Sequence, residues 1–397
     1  MKNYLILKKF CEKIYLVGSG NFWYEKGVIG DDSNVLYKLY TYGVFIIYGF
    51  MTLLEILAAL IGDFPEDEKR DSITFAVSHT VVMIKMFSVI SKKKLVKNLI
   101  RDLIKVCELH EEDSLMVEKY KIMKINVIAY IITVYGSAAC FIFEGLRKML
   151  DGSHFVTVVT YYPSYGDDSL AAAVARISTT IVLLLMLLTM IINVDGFAIA
   201  NLIIFKYKFI TLRDYFEKLR QDFDKLLEIG NQRLAAEKLT QGLIEGIIMH
   251  KELIRIYKEI DKAFGTVLAF QLCQSSGSAV SLLLQIALSD ELTFVARMKI
   301  LFFVLALFFL LGVFLCNAGD ITYQASLLSD SIFYCGWNLC NYSSGGRQIG
   351  KLVLQAIAQA QRPIVMKAFK MLQLTYGTFL LVVRGTYSVF ALFYAQH

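Results

Sequence analysis

Seven stretches of this chain are long and apolar enough to cross a bilayer, at about 39–61, 72–90, 123–144, 169–205, 264–288, 298–318 and 373–394. A span takes about 20 such residues, because lipid offers the backbone no hydrogen-bond partner and a helix satisfies its own. The fold class expected is therefore all-α, a membrane protein of seven transmembrane helices. Composition agrees: 56% of the 397 residues are hydrophobic and 19% charged, against roughly 45–50% and 25% in soluble domains. There are three prolines and no Gly/Ser-rich or Pro-rich linker, so residues 1–397 read as a single seven-helix domain. Disorder, a secreted disulfide scaffold and a modular protein are excluded. The second run is the weakest, since it carries His79 and Lys85. The fourth is too long for one simple crossing, and its far end is expected to run out into water. Residues 1–35 do not read as a cleaved signal, because Lys8 and Lys9 interrupt the stretch before an apolar core forms.

Lys and Arg set the direction of threading. Segments 1–35, 91–124, 206–263 and 319–372 together hold 31 of them; the opposite loops hold five, and five more lie within or at the edges of spans. The expectation is an intracellular N-terminus and an extracellular C-terminus. A G-protein-coupled receptor threads the other way, and the Asp/Glu-Arg-Tyr and Asn-Pro-x-x-Tyr motifs are missing. Cys11, Cys107, Cys335 and Cys340 fall on the inner side and Cys140, Cys273 and Cys316 within spans, so no outer disulfide is expected. The Asn341-Tyr-Ser343 sequon falls inside and should stay unglycosylated. The formal charge of +6 belongs mostly to the inner loops and calls for no nucleic acid.

Those inner stretches carry helical periodicity. Phe209, Leu212, Phe216 and Leu219 lead to Leu226 and Leu227; after a break at Gly230-Asn231 come Leu243, Ile247, Leu253 and Tyr257. Residues 350–370 repeat the pattern with Leu352, Leu354, Ile357, Ile364 and Phe369. They read as extensions of spans four to seven that pack together below the membrane, in preference to basic amphipathic helices lying on headgroups. Glu55, His79, Lys85, Arg176, Asp195 and Arg384 are ionisable residues within spans, where they are costly. Lys85 and Asp195 are expected to reach the inner interface by snorkelling. Arg384 sits mid-span beside Gly385, Thr386, Tyr387 and Ser388, a composition that suits a helix facing water or other helices. The His110-Glu111-Glu112-Asp113 run reads as a solvated loop.

Enzyme chemistry is missing. The five histidines (79, 110, 154, 250 and 397) are scattered, and there is no metal-ligand spacing, Walker loop or Gly-x-Ser-x-Gly. No cofactor is expected. Inverted repeats with broken helices, a transporter signature, are not apparent.

The C-terminal third carries Phe314-Leu-Cys316-Asn-Ala-Gly319-Asp320 with Ser326, then Asp330 to Tyr334-Cys-Gly-Trp337. Gln361-Arg-Pro363, Gln373-Leu-Thr375-x-x-x-Phe379 and Val382-Val383-Arg384-Gly-Thr386-Tyr387-Ser388-Val-Phe390-Ala-Leu392 follow. In these motifs the chain resembles the insect odorant receptors. The likeness is specific over 314–392 and mainly topological before that, with looser fits at Phe264–Gln271 and Tyr162-Pro163. Arg384 stands where that family often has Lys, and Val389 where it has Tyr. The related gustatory receptors end their last span in Gln-Phe; Phe393-Tyr394 stands there instead. The universal co-receptor of the family has a longer insertion in the fourth loop, so the short 206–263 segment resembles a ligand-tuning subunit.

The resemblance implies a ligand-gated, non-selective cation channel in the plasma membrane of sensory neurons. Four subunits surround a pore lined by span seven, intracellular helix extensions form the inter-subunit anchor, and no G protein is required. The implied partners are the odorant co-receptor, in a heterotetramer, a small volatile ligand, and membrane lipid. Alignment of the last spans puts Leu392 at the outer gate, where a Leu ring closes a pore by dewetting, with Gln396 one turn further out. The ligand pocket is implied in the outer half of the bundle. Residues sharing a face there are Phe75, His79 and Met83 on span two, Tyr135, Ala139 and Phe143 on span three, and Ser178, Val182 and Met186 on span four. His79 offers a hydrogen bond to an alcohol, aldehyde or carbonyl ligand. The rival readings are a homotetrameric gustatory-type channel and a seven-span transporter.

Overall fold

The computed structural model describes residues 3–288, 294–340, 346–369 and 371–395. In chain order its helices are α1 (Asn3–Leu16), α2 (Val35–Ile61), α3 (Glu66–Ser91), α4 (Lys93–Lys105), α5 (Asp113–Leu150), α6 (Leu170–Met190), α7 (Gly196–Glu228), α8 (Gln232–Leu288), α9 (Phe294–Ser326), α10 (Leu328–Phe333), α11 (Gly346–Ala360) and α12 (Tyr376–Tyr394). A small antiparallel hairpin, β1 (Lys367–Ala368) with β2 (Leu372–Gln373), precedes α12. Among the described residues, seven helical runs are long and apolar enough to span: α2, α3, α5, α6 continued by α7, α8, α9 and α12.

Several spans greatly outlast a bilayer. The 57 residues of α8 reach about 85 Å at 1.5 Å per residue, whereas the hydrocarbon layer is about 30 Å thick. The overhangs of α7 and α8 form a hairpin closed at Gly230, whose φ of 81° suits glycine; Asn231 Oδ1 then accepts the Leu234 N–H at 3.3 Å and caps α8. The two helices meet closely because Gly242 and Gly246 leave room for Leu219 and Phe216. A Cβ on either glycine would stand 2.4 Å from those side chains.

Around this hairpin lies the main core. Phe209, Leu212 and Phe216 of α7 and Leu243 and Leu253 of α8 are fully enclosed, so the extensions pack on one another. Two short helices join them. α1 buries Ile6, Leu7, Cys11 and Ile14, and α4 buries Val96, Leu99, Ile100, Leu103 and Ile104 along one stripe. α11 buries Val353, Ala356 and Ala360 but leaves Leu354 61% exposed. The helix expected over 350–370 stops at Ala360, just short of Arg362-Pro363, because the proline ring disfavours helical backbone in the residue before it.

Three other expectations change. The far end of the fourth span is enclosed by protein: Phe197 to Phe205 are buried without a gap. Lys85 and Asp195 do not reach outward; their Nζ and Oδ1 lie 3.7 Å apart, both fully buried. The loop at 110–113 is solvated only in part: Asp113 is exposed, but the Glu111 side chain is enclosed between Lys208 Nζ at 2.7 Å and Lys119 Nζ at 3.5 Å, and accepts the Asn3 amide at 2.6 Å. Lys208 also donates to the Val106 carbonyl at 2.5 Å. Burial pushes the Glu111 carboxyl up, but the charges of Lys208 and Lys119 outweigh it and hold it below the usual carboxylate range.

Candidate functional site

At the end of the bundle away from the extensions, α3, α5, α6, α8 and α9 enclose a cavity of about 90 Å³, several times the space one water needs. Its walls are mostly apolar: Phe75 and Val82 of α3, Val134, Ala138 and Phe141 of α5, Leu183, Leu187 and Met190 of α6, and Phe303, Ala306, Leu307 and Leu310 of α9. Polar groups are few, as in small-molecule sites generally: Ser78, His79, Ser137 and Gln274. Ser137 donates to the Val134 carbonyl at 2.8 Å. Ser78 Oγ is shut off from solvent and has no hydrogen-bond partner among the described residues. The His79 ring stacks on Phe75, centroids 5.6 Å apart, and its Nδ1 lies 2.7 Å from both oxygens of Glu55 on α2, a fully buried side chain.

A lid and a floor complete the site. Arg176 Nη2 donates to the carbonyls of Ser164 at 3.1 Å and Asp167 at 3.0 Å, holding the α5–α6 loop. Lys299 lies 4.8 Å from the centre of the Phe141 ring and pairs with Asp71 at 2.8 Å. About one turn beyond the cavity the same helices turn polar. Tyr130 donates to Asp195 Oδ2 at 2.5 Å; Lys85 donates to Gln271 Oε1, whose amide donates to Ser275 at 3.0 Å. Asp195 ends a wide turn, Ile191–Asp195, in which the Gly196 N–H reaches back five residues to the Ile191 carbonyl. A Cβ on Gly196 would sit 2.7 Å from that oxygen, so the turn needs glycine. Such turns recur at functional sites. This buried ion pair, with Tyr130 on Asp195 Oδ2 and Gln271 on Lys85, ties four helices into one register, which is the best-attested use of such pairs.

The sequence signature of the 7tm odorant receptor family matches residues 67–387. The chain belongs to the insect odorant receptor family. That is a family of ligand-gated channels and not of enzymes. No curated protein sequence matches the receptor, but solved structures do. The olfactory receptor OR5 from Machilis hrabei superposes with a TM-score of 0.76 at 11% identity, over 98% of this chain and 99% of that one. Its complex with eugenol superposes with a TM-score of 0.74 at 12% identity, over the full length of both chains. The odorant-receptor fold is thus conserved where the sequence is almost wholly changed.

Within the receptor, the nine residues read as pocket-lining on periodicity divide sharply. Phe75 and His79 line the cavity. Met83 packs half-buried on the core and yields its place to Val82. Tyr135 turns to donate to the Leu184 carbonyl at 3.0 Å, and Ala139 is half-buried beside the wall residue Ala138. Phe143 is 71% exposed on the outer surface. Ser178 is exposed and bonds the Val174 carbonyl. Val182 and Met186 pack into the neighbouring core, not the cavity. On α5 and α6 the wall lies one residue from the expected face, a rotation of about 100°. Tyr130 and Asp195 carried the missing signal: polar side chains in a span face inward, and counting four and eight from Tyr130 reaches Val134 and Ala138.

The family's motifs also find their use in the receptor. Asp320 receives Lys206 of α7 at 2.9 Å and the hydroxyl of Tyr376 at the start of α12. Gly319 lets that Tyr376 ring approach, for a Cβ would stand 3.0 Å from it. The motif thus joins three helices where α12 begins. α12 itself is sparsely covered: of its residues only Thr378 and Thr386 are buried. Arg384, Gly385, Tyr387 and Ser388 are exposed, and Leu392 is 59% exposed. Gln396 and the Asn341 sequon lie outside the described residues.

Proposed function

We propose that this receptor is an odorant-specific tuning subunit of a ligand-gated, non-selective cation channel in the plasma membrane of sensory neurons. It acts as one seven-helix unit and assembles with the odorant co-receptor in a heterotetramer. The carrying observation is α12, the one span left almost bare by its own chain, with a polar strip and Leu392 facing outward. A helix of that kind needs partners, and a ring of four supplies them around a pore, with Leu392 and Gln396 at its outer gate. The tuning role is supported by the fourth loop, where α7 closes onto α8 through residues 229–231 with no insertion. The surplus of 31 Lys and Arg over five supports threading with the N-terminus and helix extensions in the cytosol and the C-terminus outside.

The cavity is the odorant site in this reading. Phe75 and His79 contact the ligand together with Val82, Ala138, Phe141 and Leu187; Met83, Tyr135, Ala139, Val182 and Met186 support it from behind. A relative with this fold takes eugenol, a small volatile. Ligand that binds better to the open arrangement shifts the population towards it, and the Lys85–Asp195–Gln271 floor carries the shift into α8, against which α12 packs.

The test is expression in oocytes with and without the co-receptor against a panel of volatiles. Inward cation current in the co-expressed cells only is the expected result. Robust current from the subunit alone would favour the homotetrameric gustatory-type channel, and saturable uptake without unitary currents a transporter.

A further inference from the structure

The carboxylate behind the cavity decides what its histidine offers a ligand. Glu55 is wholly buried, and both of its oxygens stand 2.7 Å from His79 Nδ1. It pairs with no lysine or arginine among the described residues. A lone charge in such a place is costly, so the Glu55–His79 pair is stable when it is neutral as a whole. Neutrality allows a carboxylate facing an imidazolium or a carboxylic acid donating to Nδ1 of a neutral ring, and in both Nε2 carries a hydrogen. The third neutral arrangement, a carboxylic acid facing an Nδ1–H ring, leaves the acid hydrogen with no acceptor among the described residues, so the first two are favoured. His79 lines the cavity with Nδ1 already engaged, and Nε2 has no hydrogen-bond partner among the described residues. Beside it on the same wall is Ser78, whose buried hydroxyl is likewise unpartnered among the described residues. Both can donate to an acceptor in a mostly apolar site, whose other polar lining groups are Gln274 and Ser137, the latter already donating to the Val134 carbonyl.

We infer that the Glu55–His79 pair makes this cavity selective for small apolar ligands that bear a hydrogen-bond acceptor, namely ketones, aldehydes and esters, over hydrocarbons of the same skeleton. His79 is the specificity-determining residue, and Glu55 is a positioning residue that keeps the hydrogen on Nε2. An alcohol also binds, accepting from His79 and giving its own hydrogen to a hydroxyl oxygen such as that of Ser78, so the contrast the pair makes is with hydrocarbons. This inference rests on the cavity being the odorant site.

The experiment has two arms. Nitrogen NMR of histidine-labelled receptor in lipid nanodiscs reads the hydrogen directly, with His79→Phe identifying the resonance. A protonated Nε2 is expected; a bare Nε2 overturns the inference. The second arm measures current thresholds in cells co-expressing the co-receptor, for acetophenone, its corresponding alcohol and ethylbenzene, and for straight-chain ketone, alcohol and alkane sets. The ketones should act at about five- to tenfold lower concentration than the hydrocarbons, the worth of one good hydrogen bond. His79→Phe should erase that preference while keeping the ring. The His79→Phe, Glu55→Leu double variant leaves no unpaired carboxylate behind the cavity and should erase it too, which covers a single variant that does not reach the surface. Ketones that never outrank hydrocarbons in the wild type, or a preference that survives both variants, would overturn the inference. Ala138→Phe separates this from the underlying reading. If it silences the whole panel, the cavity is the site and only the donor argument is at stake; responses unchanged by it would remove the cavity itself as the site.

Discussion

The two ends of the helical bundle contain the same kinds of residue and treat them oppositely. Around the α7–α8 hairpin, Phe209, Phe216, Leu243, Leu253 and even Lys208 show no exposed surface. In the spans, Ile46 at 69%, Leu60 at 73% and Phe143 at 71% remain open, and the side chains leave a mostly apolar cavity between them. In water, burial of apolar surface drives packing at about 25 cal/mol per Å², so the extensions close up. In lipid that drive is absent; apolar faces stay outward and packing gaps are tolerated. Uniqueness there comes from the polar exceptions, Glu55 with His79 and Lys85 with Asp195. The difference teaches where to look for each property: rigidity at the extensions, selectivity in the loosely packed half.

The largest expected effect tests the rigid end. Lys208→Met should cost about 3–5 kcal/mol, because it removes the nearer cation from buried Glu111. A fall in the melting temperature of the detergent-purified receptor, with loss of surface expression, checks this. Adding Glu111→Gln to Lys208→Met should restore much of the loss. The same contact predicts an acid sensitivity. Since the folded receptor holds the Glu111 carboxyl below its unfolded value, the unfolded chain binds the proton more readily. The stabilisation is complete above the unfolded value, roughly pH 4.3, and fades as pH falls through the lower folded one. In Glu111→Gln that part of the acid slope of the melting temperature should vanish. An unchanged slope would move the stability of this end to its apolar packing alone.

What was legible in the sequence follows the same division. Span number and the Gly230-Asn231 break could be read because lipid and turn geometry each impose a strong local rule. Helical extension of spans four to six could be read from periodicity, since Phe209, Leu212 and Phe216 mark one buried stripe. Cavity residues were legible only where chemistry singled one out. His79 is polar in an apolar run, and of the α3 face it marked, Phe75 and His79 line the cavity and Met83 does not. On α5 and α6 the polar cue lay beyond the expected stretch, at Tyr130 and Asp195, so periodicity chose Tyr135 and Val182 where the wall takes Val134 and Leu183. The ion pairs were not legible at all: Lys85 and Asp195, 110 positions apart in the chain, each look free to snorkel until the fold brings them together. Glu111 looked solvated because its polar neighbours His110, Glu112 and Asp113 hid the fact that α1 and α7 close over it.

The sharpest version of the comparison makes nearly the same chemical change in both halves. Gly246→Val puts a side chain where Phe216 already stands 2.4 Å from the new Cβ, and a full core cannot shift without strain. Overpacking there should cost about 1–3 kcal/mol, read as a lower melting temperature with the odour ranking unchanged in whatever receptor reaches the surface. Ala138→Val adds two methyl groups to the wall of a cavity of about 90 Å³. Its space takes them, so the melting temperature should move by less than the equivalent of about 0.5 kcal/mol. Responses to the bulkiest ligands should weaken most. The two variants thus give opposite signatures, stability lost without selectivity and selectivity changed without stability. Should Ala138→Val destabilise as much as Gly246→Val, the cavity would be as tightly determined as the extensions, and the division drawn between the two ends would fail.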